Sequence, residues 1–114
     1  MTPIDPAWLA AARKELEGRE ADADWPADDT AAWRAIVGLL EQGELETELQ
    51  WPDLVAAARA AEDRRCSAYG EAAVDDPKRV TIARRLVAIA NIRRILERAA
   101  WHRGFCLPSK EIAA

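Results

Sequence analysis

Residues 80–104, VTIARRLVAIANIRRILERAAWHRG, contain the longest uninterrupted helical pattern in this chain of 114 residues. The apolar side chains recur at intervals of three and four, a spacing that places them on one face of an α-helix. They are Ile82, Leu86, Ile89, Ile92, Leu96, Ala99 and Ala100. Asp76 and Pro77 form a start signal and Gly104 a stop signal, so the pattern predicts a helix of about 27 residues.

The side of this predicted helix that faces away from the apolar residues is cationic. Its members follow one another at steps of seven, three, four and four, and they are Arg84, Asn91, Arg94, Arg98 and His102. We call this row the cationic ridge. Trp101 lies beside it, and residues 78–103 hold eight Lys or Arg against one acid, Glu97. We expect the ridge and Trp101 to bind a partner; the alternative is a solvated surface or one neutralised by the same chain.

Three other arginines, Arg85, Arg93 and Arg103, fall at or inside the apolar stripe. A buried guanidinium without a partner costs several kcal/mol, so each is expected to pair with a carboxylate or to extend its head to the margin. The acidic half of the chain supplies the predicted carboxylates, which are Glu41, Glu44, Glu46 and Glu48.

Capping residues, prolines and glycines predict three earlier helices. Their approximate spans are 6–17, 28–42 and 52–69, with Gly18, Gly43 and Gly70 as stop signals. Their inward positions are Leu9, Ala12 and Leu16, then Trp33, Ile36, Val37 and Leu40, then Leu54, Val55, Ala58, Ala61 and Cys66. The predicted fold is all-α, an antiparallel four-helix bundle in one domain with a long C-terminal helix. Residues 105–114 are predicted to form a loosely ordered tail.

The five tryptophans divide into groups by position. Trp33 and Trp8 are expected in the core, because a small bundle gains much stability from aromatic burial. Trp25 and Trp51 precede prolines near helix starts, and we expect their rings to cover helix ends. Trp101 is predicted either to anchor a partner or to pack at the rim of the bundle.

The formal charge of −4 is unevenly distributed, with −8 in residues 1–60 and +4 in residues 61–114. A second candidate surface is therefore acidic. Its predicted members are Asp22, Asp24, Asp28, Asp29, Glu44, Glu46 and Glu48.

Several classes of protein and site are disfavoured by the sequence. No apolar run approaches the ~20 residues of a membrane span, and no secretion signal opens the chain. Cys66 and Cys106 are expected to be reduced thiols in a cytoplasmic protein. Neither cysteine shares a metal-site spacing with His102, so no metal or cofactor is expected. No phosphate-binding loop or nucleophile motif is present, which favours a non-enzymatic protein.

We therefore expect a small interaction protein, such as an adaptor, regulator or assembly subunit, that binds another protein. One alternative is a subunit that binds a nucleic-acid backbone through the cationic ridge and Trp101. A further alternative is an acidic inhibitor that mimics phosphate, of the type found in phage. Self-association into a homo-oligomer remains open.

Overall fold

A computed structural model of the chain describes residues 5–43 and 49–105 and confirms the predicted all-α class. It contains four helices, and no strand occurs in the described ranges. The helices are α1 (Pro6–Glu20), α2 (Ala27–Gln42), α3 (Trp51–Glu71) and α4 (Lys78–His102). The fourth helix, at 25 residues, is the longest, as predicted.

The predicted starts of α1 and α4 are confirmed by hydrogen bonds to side chains. The Asp5 carboxylate accepts a bond of 2.9 Å from the backbone N–H of Ala7, and Asp76 accepts an equivalent bond from Lys78. At the predicted helix ends, Gly43 and Gly104 have φ of 73° and 89°. Glycine adopts this left-handed conformation without steric penalty, which explains its use there.

The prediction that Gly18 and Gly70 stop their helices is wrong. Both residues lie inside helices, and neither has a positive φ. Backbone hydrogen bonding continues past them, since Ala21 N–H donates to Glu17 and Ala72 N–H to Ala68. A glycine inside a helix costs about 1 kcal/mol relative to alanine, which tertiary packing readily offsets.

The four helices share one hydrophobic core, and most predicted inward positions belong to it. The largest fully buried apolar side chains are Trp33, Ile36, Leu54, Ile89, Ile92 and Leu96. Several alanines are also fully buried, and their small side chains allow close approach of neighbouring helices. The sequence spacing predicts that Cys66 lies in this core, and this prediction is wrong: Cys66 is exposed and its thiol is free. It lies in the last two turns of α3, which extend beyond the buried residues of that helix.

The helices pack as consecutive neighbours, and α4 also contacts α1. Contacts between α3 and α4 run in reverse order, since Trp51 meets Arg103 at one end and Tyr69 meets Arg79 at the other. This is the order of an antiparallel pair. At the end of α4 the N–H of Phe105 donates to Ala100, and the Phe105 ring packs on the core, so this residue is held rather than loose. The rest of the predicted tail, residues 106–114, lies outside the described residues.

The two faces of α4 should respond differently to truncation. Ile89 is fully buried and Val87 is 60% exposed. We expect Ile89→Ala to lower the free energy of unfolding by about 2–5 kcal/mol and Val87→Ala to change it by about 0.5 kcal/mol or less. Urea unfolding followed by circular dichroism measures both. Equal losses would contradict the orientation of α4 described above.

Candidate functional site

The arginine at the centre of α4 is part of the core. Arg93 is 2% exposed, and its Nε donates to Glu62 of α3 at 2.6 Å. Its Nη1 lies 3.3 Å from Glu97 Oε2 on α4 itself, and Arg59 donates to the other Glu97 oxygen at 3.0 Å. These two arginines and two glutamates form an ionic cluster between α3 and α4, so the charge of Arg93 is neutralised within the chain.

A second buried arginine, Arg19, was not predicted from the sequence. It is 4% exposed and bonds to Glu15 at 2.7 Å and to Asp29. Its guanidinium lies 4.7 Å from the Trp25 ring centre and 5.1 Å from that of Trp33. Because Trp25 also donates to Asp29 at 2.6 Å, this cluster joins the end of α1 to the start of α2. The expectation that Trp25 covers a helix end is confirmed.

The prediction of carboxylate partners is confirmed for Arg85 and Arg93 but not for Arg103, which is exposed. The predicted partner Glu41 is wrong. Arg85 reaches Glu15 at 4.0 Å, while Arg103 donates to the Ala99 carbonyl and lies over the Trp51 ring. Glu41 instead pairs with Arg13 of α1. The reason is topological: Glu41 belongs to α2, which shares no interface with α4 in the described structure. Glu44, Glu46 and Glu48 lie outside the described residues.

The cationic ridge lies on the surface of α4. Arg84 and Arg98 are exposed, and neither forms an ion pair with another described residue. Arg94 is also exposed, and its Nη1 lies 3.4 Å from the half-buried Asn91 side-chain oxygen. The ridge therefore keeps positive charge at the surface, in contrast to Arg93.

At the C-terminal end of the ridge, an aromatic pair is exposed to solvent. Trp101 is 63% exposed, and the rings of Trp101 and His102 meet edge to face with centres 5.3 Å apart. An exposed tryptophan presents a large apolar surface, so Trp101 has the character of an anchor for a partner.

Two exposed valines extend this surface in the other direction along α4. Val80 is 56% exposed and Val87 is 60% exposed, and neither is among the predicted site residues. Together with Trp101 they are three of the four large hydrophobic side chains that the described residues expose, the fourth being Val74. A sequence signal for them exists in the spacing. Alternating steps of four and three connect Val80, Arg84, Val87, Asn91, Arg94, Arg98 and Trp101. We call these seven residues the α4 strip.

A groove borders the N-terminal half of the α4 strip, where α4 meets α1 and the end of α3. Its volume is about 620 Å³, and Trp8, Val74, Val80 and Val87 contribute apolar lining. Arg79 and Arg84 also line it, as do the Asp5 and Asp76 carboxylates that cap α1 and α4. Trp8, predicted to lie in the core, is instead half-buried: it packs against the core and also lines the groove.

Four members of the predicted acidic surface are described, and Asp22, Asp24 and Asp28 of these are exposed. Asp22 accepts a bond from the backbone N–H of Asp24 in the loop after α1, and Asp28 is exposed in the first turn of α2. Asp29 is occupied by Arg19 and Trp25. Three of these carboxylates therefore have local structural positions: Asp22 in a turn, Asp28 at a helix start, and Asp29 in an ion pair with buried Arg19.

Two other kinds of site are absent from residues 5–43 and 49–105. No group of three or more His, Cys, Asp or Glu side chains there is arranged to hold a metal ion. No helix in these ranges has both the length and the apolar composition needed to cross a bilayer. Cys106 lies outside the described residues.

Comparison of the chain with protein-family models, with curated proteins and with solved structures finds no significant match.

The inner and outer arginines of α4 should differ in their effect on stability. Arg93→Ala removes the guanidinium that pairs with Glu62 at the α3–α4 interface. We expect the free energy of unfolding to fall by about 3–5 kcal/mol. Arg98→Ala, the matched change on the exposed side, should alter stability by about 0.5 kcal/mol or less. Chemical denaturation measures both. A loss from Arg98→Ala as large as that from Arg93→Ala would show that the ridge serves the fold.

Proposed function

We propose that this protein is a non-enzymatic interaction module that binds another protein along the outer side of α4. The observation that carries this proposal is the α4 strip, which combines Val80, Val87 and Trp101 with the arginines of the ridge. Apolar and aromatic anchors surrounded by cations are typical of protein interfaces, where Trp and Arg are enriched among the residues that dominate affinity.

The fold supports this role because it keeps the strip separate from the core. Ile89, Ile92 and Leu96 hold α4 in the bundle, while Arg93 is neutralised by Glu62 and Glu97. The strip can therefore bind a partner without unfolding any part of α4. A rigid helix of this kind presents its side chains at little entropic cost, which favours affinity.

Nucleic-acid binding is the second candidate, and a specific observation favours it. Arg84 and Arg98 have no carboxylate partner among the described residues, and the Trp101 ring is available for stacking on a base. Protein binding is favoured over it by Val80 and Val87, because exposed valines between cations gain nothing from a phosphate backbone. The overall charge of −4 also opposes non-specific binding to nucleic acid.

Photo-crosslinking in the native host tests the proposed function. A photoreactive amino acid replaces Val87 on the strip, and the matched control replaces Ser67, an exposed residue of α3. We expect a discrete cross-linked protein from position 87 and none from position 67. The triple variant Arg84→Glu, Arg94→Glu, Arg98→Glu should remove the cross-link while circular dichroism shows unchanged helicity.

Treatment with nuclease before irradiation separates the two candidates. A cross-link that survives nuclease supports direct protein binding, whereas one that disappears supports the nucleic-acid candidate. Equal cross-linking from positions 67 and 87, or an undiminished cross-link from the triple variant, would contradict binding through the α4 strip.

A further inference from the structure

We infer that the partner element recognised by the α4 strip is an acidic amphipathic α-helix, which lies lengthwise along α4 in coiled-coil register. This inference rests on the proposed function and names the class of partner. Three observations carry it: the spacing of the strip, its charge, and the positions of its apolar residues.

The spacing of the strip matches a helix. The strip alternates between two heptad positions. One holds Val80, Val87, Arg94 and Trp101, so that three of the exposed large hydrophobic side chains of the described residues share it, and the other holds Arg84, Asn91 and Arg98. Successive side chains are therefore about 5 Å apart along the axis, as they are on a facing helix. Same-side residues of an extended strand are about 6.7 Å apart, so a strand would lose register by about 8 Å over the strip.

The fold makes this pattern available for an external helix. The inward residues of α4 are occupied by α1 and α3, and α2 shares no interface with it in the described structure. The strip spans about 32 Å, the length of a helix of three heptads. The neighbouring groove between α4 and α1 gives its N-terminal half a concave side, into which a second helix can settle.

The charge of the strip specifies an acidic partner. Its three ionisable residues, Arg84, Arg94 and Arg98, are all cationic and exposed. The nearest acid in α4, Glu97, is turned to the other side and bonds to Arg93 and Arg59. Carboxylates on the partner helix would form ion pairs with Arg84 and Arg98, and such charge complementarity favours an acidic partner over a cationic one.

The order of residues along the strip gives a more detailed expectation. Val80 and Val87 lie in one half, Trp101 ends the other half, and the arginines with Asn91 lie mainly between them. The partner helix should carry apolar residues towards its two ends and Asp or Glu in its middle turns. A polar Asn91 at a seam position also favours a single register.

A second copy of this chain is a poorer occupant than an acidic helix. Two α4 strips facing each other would bring six arginines together without a carboxylate from either strip. Repulsion between like charges across an interface disfavours that partner.

The test uses the whole protein and three designed peptides as probes. One peptide is a helix of about three heptads with leucines in its outer turns and glutamates at the middle a and d positions. Its matched control has lysine in place of each glutamate, and a third peptide has the glutamate peptide's composition in scrambled order. Fluorescence anisotropy at physiological salt measures each affinity.

We expect the protein to bind the glutamate peptide about tenfold or more tightly than either control. The triple variant Arg84→Glu, Arg94→Glu, Arg98→Glu should reverse the preference and bind the lysine peptide. Val87→Asn should lower the affinity for the glutamate peptide about threefold or more, because the substitution removes an apolar anchor. Circular dichroism of each variant excludes loss of the fold as the cause.

Several outcomes would overturn the inference. Equal affinity for the scrambled peptide would mean that charge alone is recognised, and absence of binding up to about 1 mM would exclude an acidic helix. Dimerisation in sedimentation equilibrium that Val87→Asn abolishes would assign the strip to a second copy. A duplex oligonucleotide that binds more tightly than the glutamate peptide would assign it to nucleic acid.

The cross-linking experiment distinguishes failure of this inference from failure of the proposed function. If position 87 captures a protein but the glutamate peptide does not bind, then the strip binds a protein element of another kind. If neither occurs, both proposals fail.

Discussion

The burial of Arg93 between α3 and α4 is the interaction on which the orientation of the strip depends. A buried guanidinium is stable only when carboxylates neutralise it, and Glu62 of α3 reaches Arg93 at only one rotation of α4 about its axis, whereas Glu97 turns with α4. Each step along a helix rotates the side chain by about 100°, so turning Arg94 inward instead would withdraw the charge from Glu62. The inward ion pair and the apolar face therefore fix together which residues of α4 point outward.

The outward residues have a mixed character that neither stability nor solubility requires. Arginines alone would make a well-solvated surface, but Val80, Val87 and Trp101 lie among them at more than half exposure. Apolar side chains at that exposure gain free energy only when something covers them. Among the described acids, Asp5, Asp22 and Asp76 accept bonds from backbone N–H groups, and Glu15, Asp29, Glu62 and Glu97 pair with arginines. In the described structure the α4 strip is therefore the surface best suited to a partner, and its spacing favours a helix.

The sequence predicts the number and order of the helices well, because periodicity and capping are local properties. The signals at the helix ends act as expected because each acts within one turn. The carboxylates of Asp5 and Asp76 accept hydrogen bonds from nearby backbone N–H groups, and Gly43 and Gly104 adopt a positive φ. The pairing of charges was less predictable. Arg19 follows Gly18, and a helix stop there would have left it in a loop. The carboxylates that meet Arg85 and Arg93 come from α1, α3 and α4, which depends on the helices that become neighbours in space. The exposure of Val80 and Val87 likewise depends on where α1 ends against α4.

Arg84 and Arg98 of the ridge are exposed and form no ion pair with another described residue, whereas Arg93 and Arg19 are buried in ion pairs. Modification of the native protein with a 1,2-dicarbonyl reagent, which reacts with accessible guanidinium groups, measures this difference residue by residue when followed by mass spectrometry. We predict that Arg84 and Arg98 react about tenfold or more faster than Arg93 and Arg19, because burial and ion pairing protect the latter two. Protection of Arg84 and Arg98 to the level of Arg93 would contradict the account.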